Sequence, residues 1–399
     1  MEPNYKRLFS PVKIGPLQLR NRVMKTPAVS GLATEDGWVT EETKERYKRE
    51  AMGGLGAIAL EPVVIQPSKS THNIRLSDDR FIPGVQELVK VMRAQDPDLK
   101  IGVQFVYFPK VSRSGWRQTV EDLTREDLQK GIQYHVEGAK RVLACGFDFL
   151  ELHMAHVTIF CSMMSLLNKR QDEYGGGFEN RMRLTTEILQ AVRATVGKDF
   201  PVGIRIDGEE FVLGGNTLLQ STRIAKRLAE LGADYISVSA GDKYEDAPPP
   251  LPNLPIDSMA GYSGSRMSPP WYHPDGANVY LAAAIREFLR KAGLETPILT
   301  AGKIRTPAHA EEILAQGKAD IIGLARAIIC DPDWARKAKE GREKEIVRCA
   351  ACNYCIEADG RLEAVGCARW PEGFGTAPLP FLPKMARPGA LSRDAASDV

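Results

Sequence analysis

AKRVLACGFDFLELH (139–153), AKRLAELGADYISVS (225–239) and AEEILAQGKADIIGL (310–324) share one pattern. Each reads as the end of an amphipathic helix, a turn at a glycine and the entry to an apolar strand. The glycine suits the left-handed conformation that closes a helix. Asp148, Asp234 and Asp320 recur just after the turn, and EAMGGLGAIALEP (50–62) is a looser copy. Self-similarity of this kind marks repeated αβ units.

Working outward from these copies gives eight apolar strands, near 22–27, 57–64, 101–106, 147–153, 202–207, 234–239, 297–301 and 320–325. They are short and often β-branched, as strands buried on both faces should be. Amphipathic segments follow most of them, at 41–52, 82–95, 124–144, 178–196, 217–231, 277–292 and 306–316. Thr124 with Asp127 resembles a capping box, with Asp in place of Glu. Eight alternating units predict an α/β fold of the (β/α)8 TIM-barrel type. A doubly wound sheet is the competing architecture, but its GxGxxG fingerprint after the first strand is missing. The barrel is expected over 1–341, a cysteine-rich segment over 342–371 and an irregular tail over 372–399.

The 399 residues are 43% apolar and 26% charged, which excludes a disordered chain, a coiled coil and a collagen. Lys and Arg number 53 against 51 Asp and Glu, a net charge of +2 that projects no field towards nucleic acid or membrane. The apolar runs are far shorter than the ~20 residues of a transmembrane helix. The opening MEPNYKRLFSPVKIGPLQ has no apolar core of a signal peptide, so a cytoplasmic location is expected.

Barrel enzymes place their chemistry at the C-terminal ends of the strands. The residues there are Pro27, Ala28 and Val29; Glu61 and Pro62; Gln104; His153 and His156; Arg205; Gly302 and Lys303; and Ala325 and Arg326. Gly302 and the Ala325-Arg326 turn match the phosphate site that barrels build from backbone amides. Arg205 and Gln104 offer a cation and an amide deep in the mouth, suited to an anion developing on a ring or carbonyl oxygen. His153 and His156 share one short turn. Two imidazoles there can donate to a carbonyl oxygen and polarise a conjugated C=C bond. Zinc is the competing reading, though no third ligand stands at recognisable spacing. The Pro- and Gly-rich stretch 241–276 is a long loop expected to hang over the mouth, with Trp271, Tyr272 and His273 either over the bound cofactor or in a packed hinge.

The seven cysteines form no even-numbered disulfide framework. Cys145, Cys161 and Cys330 stand in apolar surroundings and read as small core residues. Cys349, Cys352, Cys355 and Cys367 follow a C-x2-C-x2-C-x11-C pattern. Three thiolates in one loop closed by a distant fourth suit a cubane iron–sulfur cluster; structural zinc prefers two separated knuckles, and free thiols are the third reading.

LFSPVKIGPLQLRNRVMKTPAV (8–29), GFDFLELHMAH (146–156), NKRQDEYGGGFENRMR (168–183), GIRIDGEEF (203–211) and AGKIRTPAHAEEILAQGKADIIGLARAIICDPDW (301–334) together resemble the Old Yellow Enzyme family of flavin mononucleotide (FMN) barrels. The similarity runs from about residue 8 to residue 370. The four C-terminal cysteines and LAR at 324–326 narrow it to the branch containing 2,4-dienoyl-CoA reductase and trimethylamine dehydrogenase, which pairs the flavin with a 4Fe-4S cluster.

The resemblance implies that Pro27, Ala28 and Val29 line the isoalloxazine, that Gln104 and Arg205 bond its polar edge, and that Gly302, Lys303, Ala325 and Arg326 hold the phosphate. It implies that His153 and His156 bind the electron-withdrawing group of the substrate and that Cys349, Cys352, Cys355 and Cys367 ligate the cluster. Val29 replaces the cysteine that tethers flavin in the amine dehydrogenases, so a non-covalent FMN is expected. The family's HxxHGY becomes His156-Val157-Thr158 here, which removes the tyrosine that could donate a proton. QFVYFPK (104–110) replaces the usual QxxHAGR and brings in Tyr107, a substitute acid or a packing residue of the strand end. Pro62 stands where relatives offer a backbone N–H.

The expected activity is an FMN- and 4Fe-4S-dependent reduction of an activated C=C bond in an enoyl-CoA or other α,β-unsaturated carbonyl compound. An amine dehydrogenase or N-demethylase passing electrons outward, and an electron-transfer subunit of a larger complex, are the alternatives. Expected partners are a small-molecule substrate, NAD(P)H acting directly or through a flavoprotein or ferredoxin that docks beside the cysteines, and a second copy of the chain.

Overall fold

The computed structural model describes residues 5–67, 72–107, 120–156, 158–241 and 263–370. The tail 372–399, most of the loop 241–276, residues 108–110 and Val157 lie outside the described residues. A hairpin of β1 (Val12–Ile14) and β2 (Leu17–Leu19) comes first. Eight parallel strands follow: β3 (Val23–Lys25), β4 (Ala57–Val64), β5 (Lys100–Val106), β6 (Phe149–Met154), β7 (Val202–Asp207), β8 (Tyr235–Ser239), β9 (Ile298–Thr300) and β10 (Ile321–Leu324). They close into a barrel in sequence order, with β10 paired to β3. Around it lie α1 (Glu41–Ala51), α2 (Ile82–Gln95), α3 (Arg125–Cys145), α4 (Ile159–Met164), α5 (Phe178–Val196), α6 (Leu218–Glu230), α7 (Gly264–Met267), α8 (Val279–Lys291) and α9 (Pro307–Ala315). The eighth unit ends in two short helices, α10 (Arg326–Cys330) and α11 (Trp334–Lys339), and α12 (Tyr354–Gly360) belongs to the cysteine segment. The architecture is the TIM barrel expected from the repeats.

The repeated aspartates have a structural reason. Asp148 Oδ2 accepts from the Ile101 N–H at 2.8 Å and from Arg93 at 3.2 Å. Asp234 accepts in the same way from the Val202 N–H at 2.7 Å and from Arg193. Asp320 accepts from the Ile298 N–H at 3.0 Å and from Arg286 and Arg290. Each aspartate therefore ties the start of its strand to the start of a neighbour and to an arginine on a helix. The glycines before them, Gly146, Gly232 and Gly317, take φ of +78°, +90° and +64°, the left-handed region that favours glycine. Thr124 and Asp127 close the expected capping box at the start of α3.

Period-2 alternation stacks the barrel interior in layers. At the floor, Phe149 and Tyr235 pack with Met24, Ala57, Leu299 and Ile321, and Ile14 and Leu19 of the hairpin close that end. The rings need room. A Cβ on Gly102 would stand 2.2 Å from the Phe149 ring, and one on Gly203 would stand 2.0 Å from the Tyr235 ring. One layer up, Glu151 pairs in register with Gln104. Above it, His153 pairs with Arg205, and Arg205 with Ser237. Among the described residues no helix is long and apolar enough to cross a membrane.

Candidate active site

A cavity of about 600 Å³ opens at the C-terminal ends of the strands, an ordinary size for a small-molecule site. Its lining includes all eleven strand-end residues singled out for cofactor and substrate: Pro27, Ala28, Val29, Gln104, His153, His156, Arg205, Gly302, Lys303, Ala325 and Arg326. Cys349 and Cys355 also line it, whereas Cys352 and Cys367 do not. Sequence reasoning missed Gln66 and Asn73, which reach the cavity from the segment after β4. No motif marks them.

Deep in the mouth a buried network holds the polar groups. Gln104 Nε2 donates to Glu151 Oε1 at 2.6 Å, and the Tyr235 hydroxyl donates to Glu151 Oε2 at 2.9 Å. Burial pushes the Glu151 carboxyl up and the nearby Arg205 guanidinium opposes that rise. Because the Gln104 amide N–H is engaged below, its carbonyl is the end available to a donor on a bound ring. Arg205 donates to the hydroxyls of Ser237 at 3.5 Å and Ser239 at 3.1 Å. Hydroxyls carry no charge, so the guanidinium can still balance an anion.

His153 and His156 lie edge to face, with ring centroids 5.1 Å apart. His156 has a φ of +55° and its backbone N–H is held by Asp207 Oδ2 at 2.9 Å. A left-handed backbone at a non-glycine residue is strained and needs such support. His156 Nε2 lies 2.6 Å from Ser239 Oγ and 3.5 Å from Asp207 Oδ1. Among the described residues no group of three His, Cys, Asp or Glu side chains is arranged to hold a metal ion.

The opposite end of the cavity is a backbone cradle. Gly302 has a φ of +119° and a Cβ there would stand 2.9 Å from the Asn278 side chain. Lys303 has a φ of +57° and sends its ammonium away, to the carbonyls of Trp271 at 2.7 Å and of His273. What Lys303 offers a phosphate is therefore its backbone. Arg326 donates to Pro269 O at 2.9 Å and to Asn353 Oδ1 at 2.5 Å. The cavity's volume, its cation and amide at one end and its amide cradle at the other fit FMN.

The structure also places Tyr107, Thr158, Glu61, Trp271 and Tyr272. Tyr107 faces α3 rather than the cavity: its hydroxyl reaches Asp127 O at 3.4 Å and its ring packs on Tyr134 and His135. Strand alternation sends Gln104 and Val106 inward and Tyr107 outward, so it is no substitute acid. Thr158 is fully buried, with an unpartnered hydroxyl, and does not line the cavity. Glu61 is also buried and turned aside, where it accepts from the N–H groups of Ser30 and Ile74. Trp271 and Tyr272 are 49% and 58% exposed and lie outside the cavity lining.

The cysteine segment sits on the rim. Val365 N donates to Ser30 O at 2.8 Å, Trp370 Nε1 donates to Ile329 O at 2.7 Å, and Ile329, Val365 and Trp370 form a small core against Ala28, Cys355 and Cys367. Its loop bends through left-handed Ala351 and Asn353. Cys349 Sγ accepts from the Ala351 N–H and Cys367 Sγ from the Arg369 N–H, each at 3.4 Å. Asn353 ties the loop to Arg326 and to Ser268 O at 2.8 Å. Cys330 is buried, as expected, and donates to Val347 O at 3.2 Å.

Comparison with known proteins agrees with this geometry. The model of the NADH:flavin oxidoreductase / NADH oxidase family matches residues 7–345. An NADH oxidase of Thermoanaerobacter brockii is 36% identical over 88% of this chain and 54% of its own length. A cinnamate reductase of Clostridium sporogenes is 27% identical over 92% and 58%. The solved structure of histamine dehydrogenase from Rhizobium sp. 4-9 superposes with a TM-score of 0.77 at 26% identity, covering 92% of this chain and 52% of that one. The chain thus spans about half the length of each of these three relatives. The family match, the closed barrel and the cradle at its mouth together place the chain in the NADH:flavin oxidoreductase / NADH oxidase family, as an Old Yellow Enzyme-like flavin-dependent oxidoreductase.

Proposed function

We propose that the chain reduces the activated C=C bond of an enoyl thioester or other α,β-unsaturated carbonyl compound, with FMN and a 4Fe-4S cluster as resident groups. Bound FMN supplies the hydride. Gln104 and Arg205 hold and electrostatically balance its ring edge, Pro27, Ala28 and Val29 flank the ring, and the backbone of Gly302, Lys303, Ala325 and Arg326 takes the phosphate. His153 and His156 bind the carbonyl oxygen of the substrate and stabilise the negative charge that develops there. The observation that carries this reading is the pair of imidazoles meeting at 5.1 Å in the cavity lining. A basic amine has no oxyanion for such a pair to bind.

Cys349, Cys352, Cys355 and Cys367 are proposed to ligate the cluster. The N–H groups aimed at two of the sulfurs suit thiolates. The histidines and Cys349 and Cys355 line the same cavity, which supports electron passage between the two groups. Electrons are proposed to enter from NAD(P)H, directly or through a flavoprotein or ferredoxin beside the cysteines.

Anaerobic mixing tests the reading. The FMN-loaded chain, reduced with dithionite, should be reoxidised by cinnamate, 2-cyclohexen-1-one or an enoyl thioester, and the oxidised chain should not be bleached by dimethylamine or histamine. Bleaching by an amine with no reoxidation by any alkene would assign the chain to the amine dehydrogenases instead.

A further inference from the structure

The reduction needs a proton as well as a hydride, and neither Thr158 nor Tyr107 can supply it. Behind His156 lies a buried acidic cluster to which no role has been given. Asp207 is 7% exposed and Glu210 1%, and the Cys161 thiol lies between them, 3.4 Å from Asp207 Oδ2 and 4.0 Å from Glu210 Oε1.

The two carboxylates are not equivalent. Glu210 Oε2 accepts from the Ser165 hydroxyl and from the Asn216 N–H, both at 2.9 Å. Asp207 Oδ2 accepts from the His156 N–H and the Cys161 thiol. Asp207 Oδ1 is buried, has no hydrogen-bond partner among the described residues and stands 3.5 Å from His156 Nε2. Burial disfavours charge on the Asp207 carboxyl, and a charge on Glu210 adds to that. Glu210 Oε2 has two donors and Asp207 Oδ1 has none, so Oδ1 is where a proton on Asp207 belongs.

We propose that Asp207 is the proton store of the active site and acts through His156, as a positioning residue that never touches substrate. This rests on the alkene-reductase reading. With Ser239 Oγ accepting from Arg205, its own hydrogen can be donated to Nε2, and the proposed resting tautomer of the neutral ring then carries its hydrogen on Nδ1. As the hydride arrives at the β-carbon, the Nδ1–H bond breaks and an O–H bond forms on the substrate oxygen. Nε2 gains a proton as the Asp207 O–H bond breaks, after the Ser239 hydrogen turns away from Nε2 and Oδ1 closes from 3.5 Å. The enol leaves and tautomerises in water to the saturated carbonyl compound; the Nε2–H bond breaks as that proton returns to Asp207, and Nδ1 takes a proton from water. No electrons move in these proton steps.

Burial and the neighbouring Glu210 charge push the Asp207 carboxyl up to about 8, against the pull of the His156 N–H, the Cys161 thiol and Arg205. The store is therefore full at neutral pH and empties above about pH 8.

The test uses the full chain loaded with FMN, reducing 2-cyclohexen-1-one with dithionite as electron source. Wild-type turnover should fall as pH rises through about 8. Asp207→Asn should retain FMN, lose about tenfold or more at pH 7 and lose that alkaline limb. A variant slowed equally at every pH, with the limb in place, would overturn the proposal. Infrared spectra of wild-type holoenzyme containing carboxyl-¹³C aspartate give a second readout that needs neither turnover nor a variant. A protonated-carboxyl band should be present at pH 7 and titrate away near pH 8; its absence at pH 7 also overturns the proposal. A titrating band in a chain that reduces no alkene would establish the store while refuting the alkene-reductase reading.

Discussion

Glu151 supports two of the groups above it. Its carboxylate is the acceptor for both the Gln104 amide and the Tyr235 hydroxyl, and its charge faces Arg205. Removing the acceptor strands two buried donors, at about 1–3 kcal/mol each. Glu151→Leu should therefore lower the melting temperature, and it should weaken FMN binding about tenfold or more because the Gln104 amide is free to turn. Flavin fluorescence titration and a melting curve measure both; unchanged FMN affinity would mean that the network serves the barrel alone. The strand-end residues were legible in the sequence because barrel topology dictates where strand ends meet. Glu151 and Asp207 were not. In a continuous apolar strand such as FLELH the side that each residue faces cannot be read, and an acid buried behind a histidine looks like any strand acid.

At the scale of elements, the recurrent aspartate joins each repeat to its neighbour. Asp234 binds the Val202 N–H and Arg193 together at the foot of the barrel, remote from the cavity. Conservative loss of that charge should cost stability and leave chemistry intact. Asp234→Asn is expected to lose about 2 kcal/mol in denaturant unfolding, the scale of a hydrogen bond to a charged group, with FMN affinity unchanged. A loss of flavin affinity at equal stability would contradict the division between a structural foot and a functional mouth. All eight barrel strands and seven of the flanking helices follow the sequence pattern closely, because buried strands and one-sided helices carry different periods. The hairpin β1–β2 escaped notice, since three-residue strands are too short to show a period. The eighth helix escaped because Asp331-Pro332-Asp333 breaks it into α10 and α11.

Across the whole molecule, one cavity connects the histidine pair, the amide cradle and the cysteine loop. Arg326 belongs to two of these at once, lining the cavity at the cradle and donating to Asn353 between Cys352 and Cys355. The account thus ties cluster assembly to the seating of the cysteine segment on the barrel. Cys352→Ala should lose iron and sulfide after anaerobic preparation and loosen that segment, since metal binding couples to folding. Stoichiometric zinc without iron in the wild-type chain would refute the cluster. The central claim, that the paired imidazoles hold the oxygen of an activated alkene, is tested most directly by one rate. The measurement is the anaerobic reoxidation of FMN-loaded, dithionite-reduced His156→Ala by 2-cyclohexen-1-one, set against the wild type. The account predicts equal FMN content and a rate lower by ~10²-fold or more, the scale of losing one oxyanion donor. An unchanged rate at equal FMN content would show that the histidines are structural and that the substrate is activated by other means.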